Sequence, residues 1–334
     1  MTIYPYEMLY NKTIIENCNI EITDQCIFKC IHCDFPKKKK GVFLSFDDIK
    51  GIVAELKRLG TFRIVITGGE PFEHPDILKI IKFIHDESFM VRVITNGYFM
   101  TPEHCVELAS LPRLEIMFSI LGVEDKHDEL TGVRGSFSKV IKTMKLLKNK
   151  RCKIGIQSSV IKDNFDNVEK LISLGEEFGV STRLDPIIFN TLKENDVEKL
   201  RLDNVQLRHF YKTYTKMTNL ATTVNKNHRQ VRLNSCSCGI ARTSVTIDCY
   251  KNVFPCGTLR IKMGNLNENS LESIWIDSPI TLRFRNLSSS LRGKCVTCKH
   301  STLCSRCLAL AESEDGYESV PRECCRHIEA MLEG

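Results

Sequence analysis

The sequence has no apolar run approaching the length of a membrane span, and Met1 to Lys12 lack the basic-then-apolar layout of a signal peptide. A membrane protein and an exported one are thereby set aside, and without export a disulfide framework loses its setting. Strong charge of either sign is also missing. Against 41 acidic residues stand 47 basic ones, and a formal charge of +6 is too small to argue for nucleic acid or a membrane surface. No solenoid-period repeat and no low-complexity tail is found. What is present is 42% apolar and 26% charged over 334 residues, an ordinary globular composition with room for one large domain and a smaller one. Cysteine is the exception. Sixteen of them in a chain expected to be cytoplasmic point to metal.

Six cysteines precede residue 200 (Cys18, Cys26, Cys30, Cys33, Cys105, Cys152) and ten fall between Cys236 and Cys325. The cysteine-free stretch from Asn190 to Arg232, rich in Lys, Thr and Asn, reads as a helical connector. The expected divisions are 1–190, 191–234 and 235–334. In the first, β-branched runs alternate with amphipathic helices: Asn19 to Thr23, Phe62 to Ile66, Val91 to Thr95, Leu114 to Ser119, Lys153 to Val160 and Ser181 to Pro186. Ser45 with Asp48 forms a capping-box pattern before Ile49, Ile52, Val53, Leu56 and Leu59 at helical spacing, and Gly60 ends the helix. A later helix carries Val168, Leu171 and Ile172 and stops at Gly179. Six strand–helix units imply parallel strands with right-handed crossovers, an α/β fold. About 250 residues make a full eight-unit barrel, so this length suits a partial (β/α)6 barrel with its function at the C-terminal strand ends.

The loop after the first strand carries Cys26, Cys30 and Cys33. Three thiolates at these spacings can converge on one polynuclear cluster, and three ligands on four irons leave one iron open. The competing reading is a zinc knuckle completed by Cys18 or His32, although Cys18 sits at the start of the strand, away from the loop.

This CxxxCxxC loop resembles the signature of the radical SAM enzymes, and further motifs follow in the family's order. They are Thr67-Gly68-Gly69-Glu70-Pro71 after the second strand and Thr95-Asn96-Gly97 after the third. Ser119-Ile-Leu-Gly122 ends the fourth, and His127-Asp128 and Arg134-Gly-Ser-Phe137 follow. The resemblance implies S-adenosyl-L-methionine bound at a [4Fe-4S] cluster held by Cys26, Cys30 and Cys33. Reductive cleavage would give a 5′-deoxyadenosyl radical that abstracts hydrogen from an unactivated carbon. It further implies that Thr67, Gly68, Gly69 and Glu70 serve the methionine amino group, with close backbone approach at the glycines and Glu70 supporting a cationic partner. Asn96 lies on the cofactor side, Ser119 contacts the ribose or carboxylate, and adenine contacts come from near His32, Gln157 and Leu184. Leu121 departs from the pattern, standing where many members carry Asp.

The second cysteine block, from Cys238 to Cys256, reads as a strand, a turn at Lys251-Asn252 and a return strand, a β-hairpin in a small cysteine-rich domain. Cys295, Cys298, Cys304 and Cys307 form paired CxxC units, followed by Cys324-Cys325. Such pairs are metal signals that suit zinc or iron–sulfur equally when taken alone. Beside a radical SAM core, the block resembles a SPASM domain with two auxiliary [4Fe-4S] clusters. The resemblance assigns Cys238, Cys256 and Cys307 to the first, with Cys236 as a fourth ligand. It assigns Cys295, Cys298, Cys304 and either Cys324 or Cys325 to the second. Lys251 stands where the family has Gly, and the last pair is CxxC in place of CxxxC. Cys249 reads as a packed strand cysteine, and Cys105 and Cys152 as inert core thiols. Lys37 to Lys40 read as a solvated face, and His85, His104 and His209 have no metal-ligand spacing.

SPASM-type relatives act mostly on peptides or protein side chains. The resemblance therefore implies a peptide maturase forming a thioether or carbon–carbon crosslink or an epimerised residue. Its partners would be a peptide substrate, an electron donor such as flavodoxin or ferredoxin, and a separate leader-binding protein. With only some 17 residues before the first strand, no N-terminal leader-binding domain is expected, and either that separate protein presents the leader, or the substrate is short, or recognition lies in the SPASM half. A radical SAM dehydrogenase of a side chain or small alcohol is the alternative within the enzymes. A non-enzymatic iron–sulfur sensor is the alternative outside them. No nucleic acid or membrane is expected.

Overall fold

The fold is described from a computed structural model, which covers residues 14–33, 40–150, 152–189, 197–218, 239–288, 293–295, 297–300, 304 and 306–333. Six parallel strands come first: β1 (Asn17–Glu21), β2 (Arg63–Thr67), β3 (Met90–Thr95), β4 (Leu114–Ser119), β5 (Lys153–Ser159) and β6 (Ser181–Asp185). They pair in chain order, each neighbour parallel, with helices in the crossovers. The helix Phe46–Arg58 starts as its residues dictate. Ser45 accepts the Asp48 N–H at 3.1 Å and Asp48 accepts the Ser45 N–H at 3.0 Å, while Ile49, Ile52, Val53 and Leu56 are buried. Gly179, in the left-handed region at φ +65°, closes the helix Val168–Phe178.

The limits of β1 differ most from expectation, those of the other strands by one residue at most. The first strand starts at Asn17, two residues early, because β1 is paired on both sides; Thr23 instead bridges Phe43 in an isolated contact. The partner on the far side is β7 (Ser244–Ile247), parallel to β1, followed by antiparallel β8 (Asn252–Phe254) and β9 (Gly264–Asn265). The C-terminal hairpin thus extends the barrel sheet to nine strands in the order β6-β5-β4-β3-β2-β1-β7-β8-β9.

The hairpin turn spans Asp248 to Lys251 with Cys249-Tyr250 at its centre, two residues earlier than expected. Asp248 accepts the N–H groups of Tyr250 and Asn252, at 2.9 and 2.8 Å, so that Asn252 already opens β8. Lys251 has φ +64°, the conformation a glycine would supply, and its ammonium sits 2.6 Å from Asp48.

Further ties join the halves. Arg260 grips buried Glu21 with two hydrogen bonds of 3.0 and 2.7 Å, and Glu55 accepts the Leu271 N–H at 2.7 Å. In the connector, Val197–Leu200 and Asn204–Thr218 are helices. The second packs against the helix Arg322–Glu333 through Tyr211 and His327, 2.7 Å apart. Cys236 and Cys238 lie outside the described residues. Among the described residues, no helix is long and apolar enough to cross a membrane.

Candidate functional site

The three-cysteine loop leaves β1 and is closed by Asp24. Its carboxylate accepts the N–H of Lys40 at 2.8 Å, the N–H of Val42 at 2.8 Å and the hydroxyl of Tyr250 at 2.6 Å. Burial pushes this carboxyl up, but the Lys40, Tyr250, Val42 and Gly41 hydrogen bonds outweigh it and hold Asp24 below the usual range. Tyr250 belongs to the C-terminal hairpin turn. One side chain from the second half therefore helps to fasten the loop that carries Cys26, Cys30 and Cys33.

The loop after β2 lies directly against this one. Gly69 donates to Thr23 O at 2.8 Å and Glu70 to Gln25 O at 2.6 Å. A Cβ on Gly68 would stand 2.4 Å from Thr23 O, and one on Gly69 would stand 2.0 Å from Gln25 O. The close approach for which these glycines are needed is thus to the backbone of the cysteine loop. Glu70, 1% exposed, accepts from Phe72 N (2.9 Å), Thr95 Oγ1 (2.6 Å) and Asn96 N (2.7 Å). Burial pushes its carboxyl up to about 7 against the pull of those donors. Three of roughly four acceptor sites are taken, so Glu70 clamps the β3 loop and keeps about one site for a further donor. Asn96 aims its Nδ2 at Cys26 Sγ, 3.9 Å away, while its Oδ1 accepts the Tyr98 N–H at 2.8 Å.

A cavity of about 170 Å³ opens at the C-terminal strand ends. Cys26, Cys30 and Cys33 line it together with His32, Thr67, Gly68, Gly69, Glu70, Asn96 and Ser119. A second cavity of about 300 Å³ shares His32, Ser119 and Leu121 with the first and adds Gln157, Ser158, Ser159, Arg183 and Asp185. Gln157 Nε2 is 3.4 Å from Ser119 Oγ. Leu184 is a correction: it is buried in the core and lines neither cavity, whereas its neighbours Arg183 and Asp185 line the second. Strand alternation explains the one-residue slip, and the same period identifies Arg183 and Asp185. Cys18, fully buried in β1, is also absent from the cavity lining, so a zinc knuckle completed by Cys18 is not formed.

The His127-Asp128 pair works on the backbone. His127 Nδ1 accepts the Leu121 N–H at 3.0 Å, with burial holding its imidazole down at about 4 despite Asp128. Asp128 accepts from Gly135 N, Ser136 Oγ and Phe137 N, fastening the turn before the helix Ser136–Asn149. Leu121 enters both cavities as an apolar wall, where the resembling family has an acid.

In the second half, Cys249 is buried and burial pushes its thiol up to about 12, as befits a packed cysteine. Cys256 Sγ accepts the Leu259 N–H at 3.2 Å. Cys304 accepts the Arg306 N–H and Cys324 the Cys307 N–H, both at 3.4 Å. A thiol–thiol hydrogen bond pulls Cys304 down and Cys324 up. Cys304 and Cys298 stand close enough to Cys295 to act on its charge. Of the adjacent pair, Cys324 meets Cys304, while Cys325 is exposed, its thiol pushed up by partial burial and then by the charges of Cys304, Cys295 and Cys298.

Among the described residues, no disulfide forms and no three His, Cys, Asp or Glu side chains converge on a point that would chelate one metal ion. A multi-iron cluster sets a different requirement, since each cysteine takes its own iron and the sulfurs stay apart. The donors fit such a group. Three thiols line one cavity, with the Asn96 amide directed at one of them. His32 Nδ1 is buried beside them without a hydrogen-bond partner among the described residues.

Comparison with known proteins agrees with this geometry. The radical SAM superfamily profile matches residues 20–175, and the iron–sulfur cluster-binding SPASM profile matches 236–307. The AdoMet-dependent heme synthase of Methanosarcina barkeri is 24% identical over 89% of this chain and 92% of its own length. The mycofactocin maturase MftC of Mycolicibacterium smegmatis is 24% identical over 85% of this chain and 75% of its own. Streptococcus suis SuiB, solved bound to its precursor peptide SuiA, superposes with a TM-score of 0.73 at 19% identity, over 96% of this chain and 77% of that one. The chain belongs to the radical SAM superfamily and is a SAM-dependent iron–sulfur enzyme with a C-terminal SPASM domain.

Proposed function

We propose that this enzyme modifies a peptide by radical chemistry. Superfamily membership removes the non-enzymatic sensor as a reading. The observation carrying the proposal is the pair of joined cavities. One is lined by the three cysteines and the Gly-Gly-Glu loop. The other, larger and more polar, reaches the β5 and β6 ends. When bound, the cluster with SAM supplies a 5′-deoxyadenosyl radical that takes hydrogen from carbon. Cys26, Cys30 and Cys33 would hold that cluster, and the remaining acceptor site of Glu70 would receive the SAM ammonium. Asn96 would orient toward Cys26 sulfur, and Leu121 and Phe28, which both line the cysteine cavity, would keep water from the reacting carbon. Arg183 and Asp185, of opposite charge on one strand end, would meet polar groups of an extended substrate.

Peptide as the substrate class is supported by the maturase among the relatives and by the fold shared with SuiB. A flavodoxin- or ferredoxin-type donor, a separate leader-binding protein and a reducing, cytoplasmic setting complete the proposal. So do two auxiliary clusters, one of them on Cys295, Cys298, Cys304 and Cys324. The test is anaerobic incubation with SAM, dithionite and the short peptide encoded beside the gene. A mass change, a two-dalton loss or a residue inverted to its D form supports the reading, and the type of change separates crosslinking, dehydrogenation and epimerisation. SAM cleavage with an unaltered peptide overturns it. The heme synthase match over nearly the whole chain favours a second reading, a tetrapyrrole haem precursor as substrate. The same assay with such a precursor distinguishes the two.

A further inference from the structure

Between Cys304 and Cys307 the chain buries a cation. Arg306 is 3% exposed, and its Nη2 donates to Glu318 O at 3.2 Å and Ser319 O at 3.1 Å. Those carbonyls lie in the turn leading to the helix that carries Cys324. The Arg306 backbone N–H meets Cys304 Sγ at 3.4 Å, and its guanidinium stands close enough to the Cys295 thiol to act on its charge. The backbone here takes φ +39°, a left-handed conformation that an arginine adopts only under constraint. A long, charged side chain is therefore held at a strained position, with its head among the cysteines of one group.

We propose that Arg306 is a positioning residue for the auxiliary cluster of Cys295, Cys298, Cys304 and Cys324, and that its fixed charge raises that cluster's reduction potential. The inference rests on the proposal above that these cysteines hold a cluster. A four-iron cluster on four thiolates is an anion, and one-electron reduction adds a further negative charge. A buried guanidinium, poorly screened by solvent, stabilises the reduced form more than the oxidised one. The rigid guanidinium fork suits this duty, since it keeps its charge and is fixed by two backbone carbonyls. The carbonyl contacts also couple the CxxC segment to the approach of Cys324, so the same residue helps set the fourth ligand's place. The cluster loop of the barrel is built differently, with an amide from Asn96 as its cysteine's neighbour. The two centres would therefore differ in potential in the direction of an electron acceptor near the C-terminus.

The test is an EPR-monitored redox titration of the reconstituted full chain, with the barrel cluster identified as the signal that changes on adding SAM. Arg306→Gln lowers the midpoint of a SAM-insensitive signal. At fixed potential its reduced-to-oxidised ratio falls at least tenfold, about 59 mV for one electron. The SAM-sensitive signal stays in place, and Arg306→Lys recovers most of the shift. A second measurement needs no substitution. Arginine carrying a heavy nitrogen isotope in its guanidino group shows hyperfine coupling to the reduced SAM-insensitive cluster of the unsubstituted protein. If Arg306→Gln loses iron, this coupling decides. An unmoved midpoint with iron retained, or no coupling, overturns the inference. An unsubstituted protein with only the SAM-sensitive signal and about four irons removes the premise, and the inference falls with it.

Discussion

Around Cys26, Cys30 and Cys33 the chain is held by backbone. Asp24 gathers N–H groups from residues 40–42, and Gly69 and Glu70 hydrogen-bond the chain at Thr23 and Gln25. Around Cys295, Cys298, Cys304 and Cys324, side chains do more of the holding, with Arg306 on two carbonyls and Glu323 joined to Arg326 and His327. A backbone-built site tolerates no added atoms but few of its residues are chosen for charge. A side-chain-built site depends on particular charged groups. The two regions meet at β1 and β7, where Tyr250, Arg260 and Lys251 reach across to Asp24, Glu21 and Asp48.

The largest effect should come from crowding the backbone-built site. Gly69→Ala places a methyl 2.0 Å from Gln25 O, which nothing but a backbone shift can relieve. About 3 kcal/mol of stability should go, together with the barrel cluster. Thermal unfolding and an iron count after reconstitution check this, and a variant with full iron and an unchanged midpoint would show that the loop yields.

Glu70 tests the one strongly shifted carboxyl in that site. Its folded value of about 7 lies above its ordinary 4.5, so the folded chain holds the proton more tightly than the unfolded one. Its contribution is complete below 4.5 and is lost as pH rises from there through 7, on the order of 2–3 kcal/mol. Urea unfolding at pH 5 and pH 8 should show the unsubstituted protein losing that much relative to Glu70→Gln. Parallel pH dependences would contradict it.

Tyr250→Phe tests the junction itself. Losing a hydroxyl donor to the buried Asp24 carboxylate should cost about 1–2 kcal/mol and lower iron retention in the barrel loop, although the substitution lies in the other half. Unchanged barrel iron in a stable variant would mean that the halves are independent. The smallest effect belongs to Lys251→Gly. Relief of the left-handed backbone offsets the lost ion pair to Asp48, leaving a net change within about 0.5 kcal/mol in equilibrium unfolding.

Much of the barrel was legible because its signals are local. The Ser45–Asp48 cap, the strand–helix alternation and the three cysteines each depend on neighbours a few residues away. Leu184 was misplaced because a loop-directed position and a core position differ by one residue on a strand, and Arg183 and Asp185 carry no motif. Glu70's role as a clamp for Thr95 and Asn96, the Asp24–Tyr250 bond and the parallel pairing of β7 on β1 join residues far apart in sequence. Spacing rules cannot reach such contacts. Lys251 shows the reverse: a family glycine was absent, yet the conformation it would serve persisted.

The central claim is that the cavity at the strand ends uses Cys26, Cys30 and Cys33 to cleave SAM. The most direct measurement is 5′-deoxyadenosine formation by the anaerobically reconstituted protein with dithionite, beside the Cys26→Ala/Cys30→Ala/Cys33→Ala variant. The account predicts steady product from the first, and none from the variant, which keeps the iron of its auxiliary clusters. Product from the variant, or none from the unsubstituted protein with its iron in place, would contradict it.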